Sequence, residues 1–218
     1  LLTHMVCSAM DKQDWSISYD NLHSILTFPK GLNLDRKIRL ITNKLITSGE
    51  AYHLLQRILF VGGIVDNKDI QQLAEIEPVI ISPSKCIDDL RGICLEEIDG
   101  LCRASELIRK SMTSDLLSLE KKQCSHYIVK KMISTKNWTV SEVIRSITVL
   151  CNAGCYDEAA SIYTLSLGSL LKSNLIGHEQ FSILRAIWID LPLPTEMSIE
   201  SRLTVRCSQL TLLGAKYI

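Results

Sequence analysis

The sequence Leu150-Cys-Asn-Ala-Gly-Cys-Tyr-Asp-Glu-Ala-Ala-Ser-Ile-Tyr163 places one glycine between two segments that have helical apolar spacing. The apolar side chains on either side recur three or four residues apart, at Val143, Ile147, Leu150, Ala159, Tyr163 and Leu167. Such spacing predicts helices that bury one face. Because glycine tolerates the backbone of a sharp turn, Gly154 predicts an antiparallel helical hairpin. Upstream, Thr139 and Glu142 have the spacing of a capping box, which predicts the start of the first helix.

This segment resembles the turn of tetratricopeptide and pentatricopeptide repeats, over about Thr139 to Leu171. The resemblance rests on a glycine, an aromatic residue, two acids, a small residue and a second aromatic: Gly154, Tyr156, Asp157, Glu158, Ala159 and Tyr163. It implies structural roles for Gly154 in the turn, Tyr156 after it, Ala159 in close helix approach and Tyr163 in the groove toward the next repeat. The acids suit a helix N-terminus, where the helix dipole favours negative charge.

Nearer the N-terminus, apolar residues also show helical spacing in 35–48 and 50–61, with Gly49 between them, which predicts a second hairpin. Gly49 and Gly154 lie 105 residues apart, or three periods of about 35 residues, as in helical-repeat arrays. We therefore expect an all-α fold, an irregular stack of antiparallel hairpins like a tetratricopeptide or pentatricopeptide α-solenoid or α-α superhelix. The alternative is an irregular helical bundle.

The expected domain organisation is a single helical domain over 1–218. Two prolines and a β-branched run make 78–84 a predicted extended connector, and thus a possible boundary between N-terminal helices (1–77) and a C-terminal repeat part (85–218). Apolar residues from Ile87 to Leu101 predict one helix after it, and no strand is predicted. Further helices are predicted at 178–189 and 198–213.

Composition limits the function classes. The chain has 218 residues, with 24 Lys+Arg and 24 Asp+Glu, so a nucleic-acid role would need a local basic patch. Its 8 cysteines lie mostly in apolar helical stripes, which favours an intracellular, cytoplasmic or nuclear location over a disulfide framework. We expect no membrane span, because no apolar run reaches about 18 residues. The first residue is not methionine, so we expect a fragment of a longer protein.

Two charged segments are candidate contact sites. The window 121–141 lacks acids, and its lysines and aromatics could contact RNA or a protein: Lys121, Lys122, Lys130, Lys131, Lys136, Tyr127 and Trp138. Alternatively, the lysines form an ordinary solvated face and the aromatics are core. Four acids, Asp88, Asp89, Glu96 and Glu97, form an acidic strip in the sequence. The strip could bind a basic segment of a partner, or it could be the polar face of an amphipathic helix.

No motif for nucleotide binding, hydrolase chemistry or zinc proteases occurs, so we expect neither cofactor nor metal, and no catalytic residue. The function predicted first is a non-catalytic scaffold whose helical repeats bind a protein partner. The alternative is a helical-repeat RNA-binding domain that uses the basic helix at 121–136. An all-α enzyme without a recognisable motif is a third, weaker hypothesis.

Overall fold

The structure is a computed structural model that describes residues 2–12, 14, 16, 18–112, 116–134, 138–172, 188 and 193–215. Within these residues, eleven helices and three short strands occur, so the predicted, mostly helical character is confirmed. The chain divides into two compact units, Leu1–Cys124 and Ser125–Ile218. The predicted connector at 78–84 lies inside the first unit.

The first unit combines seven helices and a small sheet. The helices are α1 (Leu2–Lys12), α2 (Tyr19–Leu26), α3 (Leu34–Leu45), α4 (Gly49–Phe60), α5 (Asn67–Ala74), α6 (Pro83–Leu90) and α7 (Glu106–Ser111). The strands are β1 (Ile64–Val65), β2 (Leu95–Ile98) and β3 (Leu101–Ala104), which form an antiparallel sheet in the order β1-β3-β2. A further helix, α8 (Ser118–Ser134), begins in the first unit and ends in the second.

Helices α3 and α4 were predicted to pair as a hairpin, and this pairing is wrong. Both helices exist, but α3 packs on α1, α2 and α7, whereas α4 packs on α5 and α6. The reason is local. Ile46 and Ser48 are extended, and Ser48 caps α4 so that Gly49 is the first helical residue and not a turn. The extended link therefore separates the two helices.

The single helix predicted from Ile87 to Leu101 is also wrong beyond Leu90. There Arg91 turns extended and Gly92 takes a φ of +77°, so the helix ends. Strands β2 and β3 follow, joined by Asp99 and Gly100 with φ of +53° and +74°. Two positive φ values are those of a type I′ hairpin turn, for which Asp-Gly is a strong sequence signal.

A buried ion pair connects three parts of the first unit. Arg57 of α4 is fully buried and Glu120 of α8 is 1% exposed. The Arg57 guanidinium donates to Glu120 Oε1 from Nε at 3.1 Å and from Nη2 at 2.8 Å. Its other N–H groups donate to the carbonyl oxygens of Leu73, Ile76 and Pro78 at 2.8–3.0 Å. All five guanidinium N–H groups thus have an acceptor.

The second unit contains α9 (Val140–Asn152), α10 (Tyr156–Lys172) and α11 (Ile199–Ala215), with α10 packed on both α9 and α11. The predicted α9–α10 hairpin is confirmed. Gly154 has a φ of +74°, its N–H bonds the Cys151 carbonyl, and the Cys155 N–H bonds the Leu150 carbonyl at 2.8 Å. This is a Schellman helix ending. The predicted helix at 178–189 lies outside the described residues, apart from position 188.

Replacing Arg57 should strongly destabilise the protein. Arg57→Met leaves the buried Glu120 carboxylate without its cation, a situation that costs about 3–5 kcal/mol. The matched control is Arg91→Met, because Arg91 pairs with two carboxylates but is half exposed, and such pairs contribute less than about 1 kcal/mol. Urea unfolding followed by circular dichroism measures both. Equal losses in the two variants would contradict a structural role for the buried pair.

Two glycine substitutions isolate the effect of backbone strain, because neither position is crowded. A Cβ at Gly100 or at Gly49 would meet no atom within 4 Å, but only Gly100 has a positive φ. Gly100→Ala should therefore cost about 1–2 kcal/mol. Gly49→Ala should be neutral or stabilising by up to about 1 kcal/mol, since alanine favours the helix. Thermal unfolding of both variants tests the hairpin, and a stabilising Gly100→Ala would argue against the type I′ turn.

Candidate functional site

The outward face of α11 carries an apolar stripe. Ile199, Leu203 and Leu210 are 71%, 61% and 66% exposed, and Cys207 between them is also exposed. At about 100° per residue these four side chains lie within an arc of about 80°. We call this set the outer stripe.

The opposite face of α11 is buried. Val205 is fully buried and Gln209 is 5% exposed. The Gln209 amide donates to the hydroxyl of Tyr163 on α10 at 3.5 Å. The Tyr163 ring is itself fully buried and lies 5.4 Å from the ring of Trp188. Helix α11 therefore has one face buried inside the unit and an apolar stripe in solvent.

This arrangement differs from that of an ordinary surface helix, which directs polar residues outward. Single exposed aliphatic side chains are common, but several on one helical line form a patch of the kind that marks interaction surfaces. The spacing of four, four and three residues matches the line of contact between two packed helices. The outer stripe can therefore receive another helix.

The junction of α10 and α11 is held by Asp157. Its Oδ1 accepts from the backbone N–H of Ser198, just before α11, at 2.9 Å. Partial burial would raise the pKa of the Asp157 carboxyl, but hydrogen bonds from Ser198 and Ser201 outweigh it and lower the pKa. The carboxylate thus ties the start of α10 to the start of α11.

The four residues singled out by the repeat resemblance occupy the α9–α10 hairpin. Gly154 is in the turn and Tyr156 begins α10, half-buried. Ala159 and Tyr163 are fully buried. A small side chain at Ala159 suits the close packing of α9 and α10, and the Tyr163 ring fills space toward α11.

The described lysines of the predicted basic window lie along α8. Lys121 and Lys122 belong to the first unit, while Lys130 and Lys131 belong to the second. Lys122, Lys130 and Lys131 are exposed. Lys136 lies outside the described residues.

The two aromatics of that window are not on an exposed face. Tyr127 is 9% exposed, so its ring belongs to the core and is not a stacking surface for bases. Trp138 is half-buried and precedes α9. For Tyr127, the alternative interpretation of the sequence, in which the aromatic residues of the window belong to the core, therefore fits better than base stacking.

The acidic strip is not on one helix. Asp88 and Asp89 are on α6, whereas Glu96 and Glu97 are on β2. Arg91 bridges them: its Nη1 lies 3.2 Å from Asp88 Oδ1, and its Nη2 lies 2.8 Å from Glu97 Oε2. Part of the negative charge is thus neutralised within the unit.

Three of the cysteine thiols are shifted away from activation. Burial raises the pKa of Cys94 and of Cys124 to about 12, and burial together with the neighbouring Cys155 raises the pKa of Cys151 to about 11. Thiols with such values are protonated at neutral pH and are poor nucleophiles. In the described part of the chain, no group of three or more His, Cys, Asp or Glu residues could hold a metal ion.

The outer stripe was not predicted from the sequence. A helix was predicted at 198–213, and apolar residues occur on more than one side of α11, but the pattern does not say which of its faces is covered. One signal for the outer stripe was present in the sequence. The spacing of Ile199, Leu203 and Leu210 places them on one line along the helix, on a different side from Val205.

In comparisons with known proteins, no family model, no curated protein and no solved structure matches this chain. Among the described helices, none is both long enough and apolar enough to cross a membrane.

The Asp157 cap predicts a pH-dependent loss of stability. Because its pKa is lowered on folding, the Asp157 carboxylate stabilises the fold above its unfolded pKa of about 3.9, and this contribution disappears as the pH falls through the lower, folded value. Asp157→Asn should cost up to about 1 kcal/mol at pH 7 and close to nothing at about pH 2. Urea unfolding at several pH values measures this, with Glu196→Gln as an exposed control. A pH-independent cost would contradict the prediction.

Proposed function

We propose that this chain is a non-catalytic protein-interaction module whose stacked helices present the outer stripe of α11 to a helix of a protein partner. The observation that carries the proposal is the exposure of Ile199, Leu203 and Leu210 on a helix whose other face is already buried. Several exposed aliphatic side chains on one helical line form the kind of surface that a protein partner covers. A helix of a protein partner would pack on the outer stripe and bury it.

The energetics support a specific contact. Full burial of an aliphatic side chain contributes about 1.5–3 kcal/mol. Three such side chains in a row would supply the apolar centre that binding hot spots need, before the cost of association is subtracted. The line of the stripe suits an amphipathic helix, which recognises a surface through side chains three and four residues apart.

The repeat resemblance supports the same function. In helical-repeat proteins each hairpin packs on its neighbours, and the exposed faces bind partners. The α9–α10 hairpin with α11 packed on α10 has the local form of such an array. We propose that the second unit is one tetratricopeptide-like or pentatricopeptide-like module.

RNA binding stays a prediction. Its remaining support is the exposure of Lys130 and Lys131 on α8. Salt-sensitive binding of single-stranded RNA that is lost in a Lys130→Glu, Lys131→Glu variant would favour it. Binding that is absent or unaffected by these substitutions would remove it.

Charge introduced into the outer stripe should abolish partner capture without unfolding the protein. Leu203→Asp combined with Leu210→Asp places two carboxylates where the partner helix would pack. Because both positions are exposed, the free energy of unfolding should change by no more than about 0.5 kcal/mol. A photo-crosslinking residue at position 203, followed by mass spectrometry, identifies the captured chain.

Thr211 provides the matched control, since it is exposed on α11 but lies outside the outer stripe. Thr211→Asp should leave capture intact, and a crosslinker at 211 should label the partner weakly. Equal loss in Thr211→Asp would contradict the proposal. So would capture that disappears on nuclease treatment, which would indicate a partner held through RNA. A crosslink to a second copy of this chain would instead show self-association.

A further inference from the structure

A polar groove runs beside the outer stripe, between α10 and α11. Its volume is about 280 Å³, close to the lower end of the range for small-molecule sites, so it suits one side chain or a ligand of that size. Hydroxyl groups and one carboxylate dominate its lining, which comprises Ala160, Ser161, Thr164, Glu200, Ser201 and Thr204.

The hydroxyl hydrogens of this groove are all directed into the protein. Ser161 Oγ donates to the Asp157 carbonyl at 3.0 Å, and Thr164 Oγ1 donates to the Ala160 carbonyl at 3.0 Å. Thr204 Oγ1 donates to the Glu200 carbonyl at 2.9 Å. The Ser201 hydroxyl bonds the Asp157 carboxylate. Each hydroxyl has only one hydrogen, so what remains toward the groove is oxygen lone pairs.

Glu200 adds a negative charge to this set of acceptors. Its side chain is exposed at the groove, and its carboxylate has no hydrogen-bond or ion-pair partner within the described part of the chain. An ionised carboxylate only accepts hydrogen bonds. The lining contains no lysine, arginine or histidine. An anion would therefore meet lone pairs and a like charge, whereas a cation rich in N–H donors would find acceptors on two helices.

We propose that this groove binds the guanidinium group of an arginine side chain. A guanidinium has five N–H donors in one plane and no acceptor, which matches lining side chains that only accept. Glu200 supplies the charge-assisted bond, and the oxygens of Thr164 on α10 and Thr204 on α11 accept from the remaining N–H groups.

The position of the groove connects it to a partner. Glu200 and Thr204 lie about 60° and 100° around α11 from Leu203, so the groove borders the outer stripe. A helix that covers the stripe would insert an arginine beside its apolar face. This identification of the arginine's source rests on the proposed function, whereas guanidinium recognition by the groove does not.

The test uses the whole chain and L-arginine amide as the probe, followed by two-dimensional NMR. L-citrulline amide is the matched probe, because it has nearly the same shape but carries a neutral urea. Arginine amide should shift the backbone resonances of Ser161, Thr164, Glu200 and Thr204 in a saturable manner, and citrulline amide should bind roughly tenfold more weakly or not at all. Absent shifts, or equal shifts with both probes, would overturn the proposal.

Variants locate the binding. Glu200→Gln and Thr164→Val keep the shape of the groove but remove its charge or one acceptor, and each should weaken arginine amide binding, Glu200→Gln by roughly tenfold. Glu196→Gln, an exposed carboxylate outside the groove, should leave it unchanged. Unshifted resonances elsewhere show that each variant is folded. Equal weakening in Glu196→Gln would mean that the probe senses only net charge, and would overturn the proposal.

The stripe variant separates this inference from the proposed function. Leu203→Asp with Leu210→Asp should lose the protein partner yet still bind arginine amide. If the probe binds the groove but no protein is captured at the stripe, only the proposed partner is wrong. If a protein is captured but the probe does not bind, only the arginine groove is wrong.

Discussion

The buried pair of Arg57 and Glu120 is the interaction on which the first unit depends. A guanidinium removed from water is tolerated only when its charge is balanced and its N–H groups are bonded. Here one carboxylate and the carbonyls of Leu73, Ile76 and Pro78 meet both conditions. Because these carbonyls belong to the end of α5 and the segment after it, the side chain positions that segment against α4. Through Glu120 it also positions the start of α8.

The second unit is organised by apolar contacts. Helix α10 lies between α9 and α11, and Tyr163, the aromatic of the repeat resemblance, is buried there with Trp188 and Gln209. Hydroxyl groups bonded to preceding carbonyls leave an acceptor-lined groove at the exposed side of the α10–α11 contact. The same helix α11 thus places the outer stripe and the acceptor-lined groove next to each other. A surface of this kind can discriminate between partners, since the apolar line contributes affinity and the charged groove contributes specificity.

Local signals in the sequence predicted local structure well. The Thr139–Glu142 capping box is present, with the Thr139 N–H 2.8 Å from Glu142 Oε2, and Gly154 ends α9 as predicted. The β2–β3 hairpin could have been predicted, because Asp99-Gly100 is a strong turn signal and Gly92 interrupts the helix before it. The helical spacing of apolar residues across Ile87–Leu101 led to the prediction of a helix in spite of these two signals. The pairing of Arg57 with Glu120, 63 residues apart, had no local signal at all.

Most helical segments, and the ends of several helices, follow from the amino-acid sequence alone, because spacing, caps and turn glycines act within a few residues. Which apolar faces are covered depends on the packing of the helices. Ile199 and Val205 are chemically alike, yet one is 71% exposed and the other is fully buried. Their difference depends on what packs on each side of α11, and therefore on residues distant in the chain. The same holds for the hydroxyls of the groove, which become a site only where two helices meet.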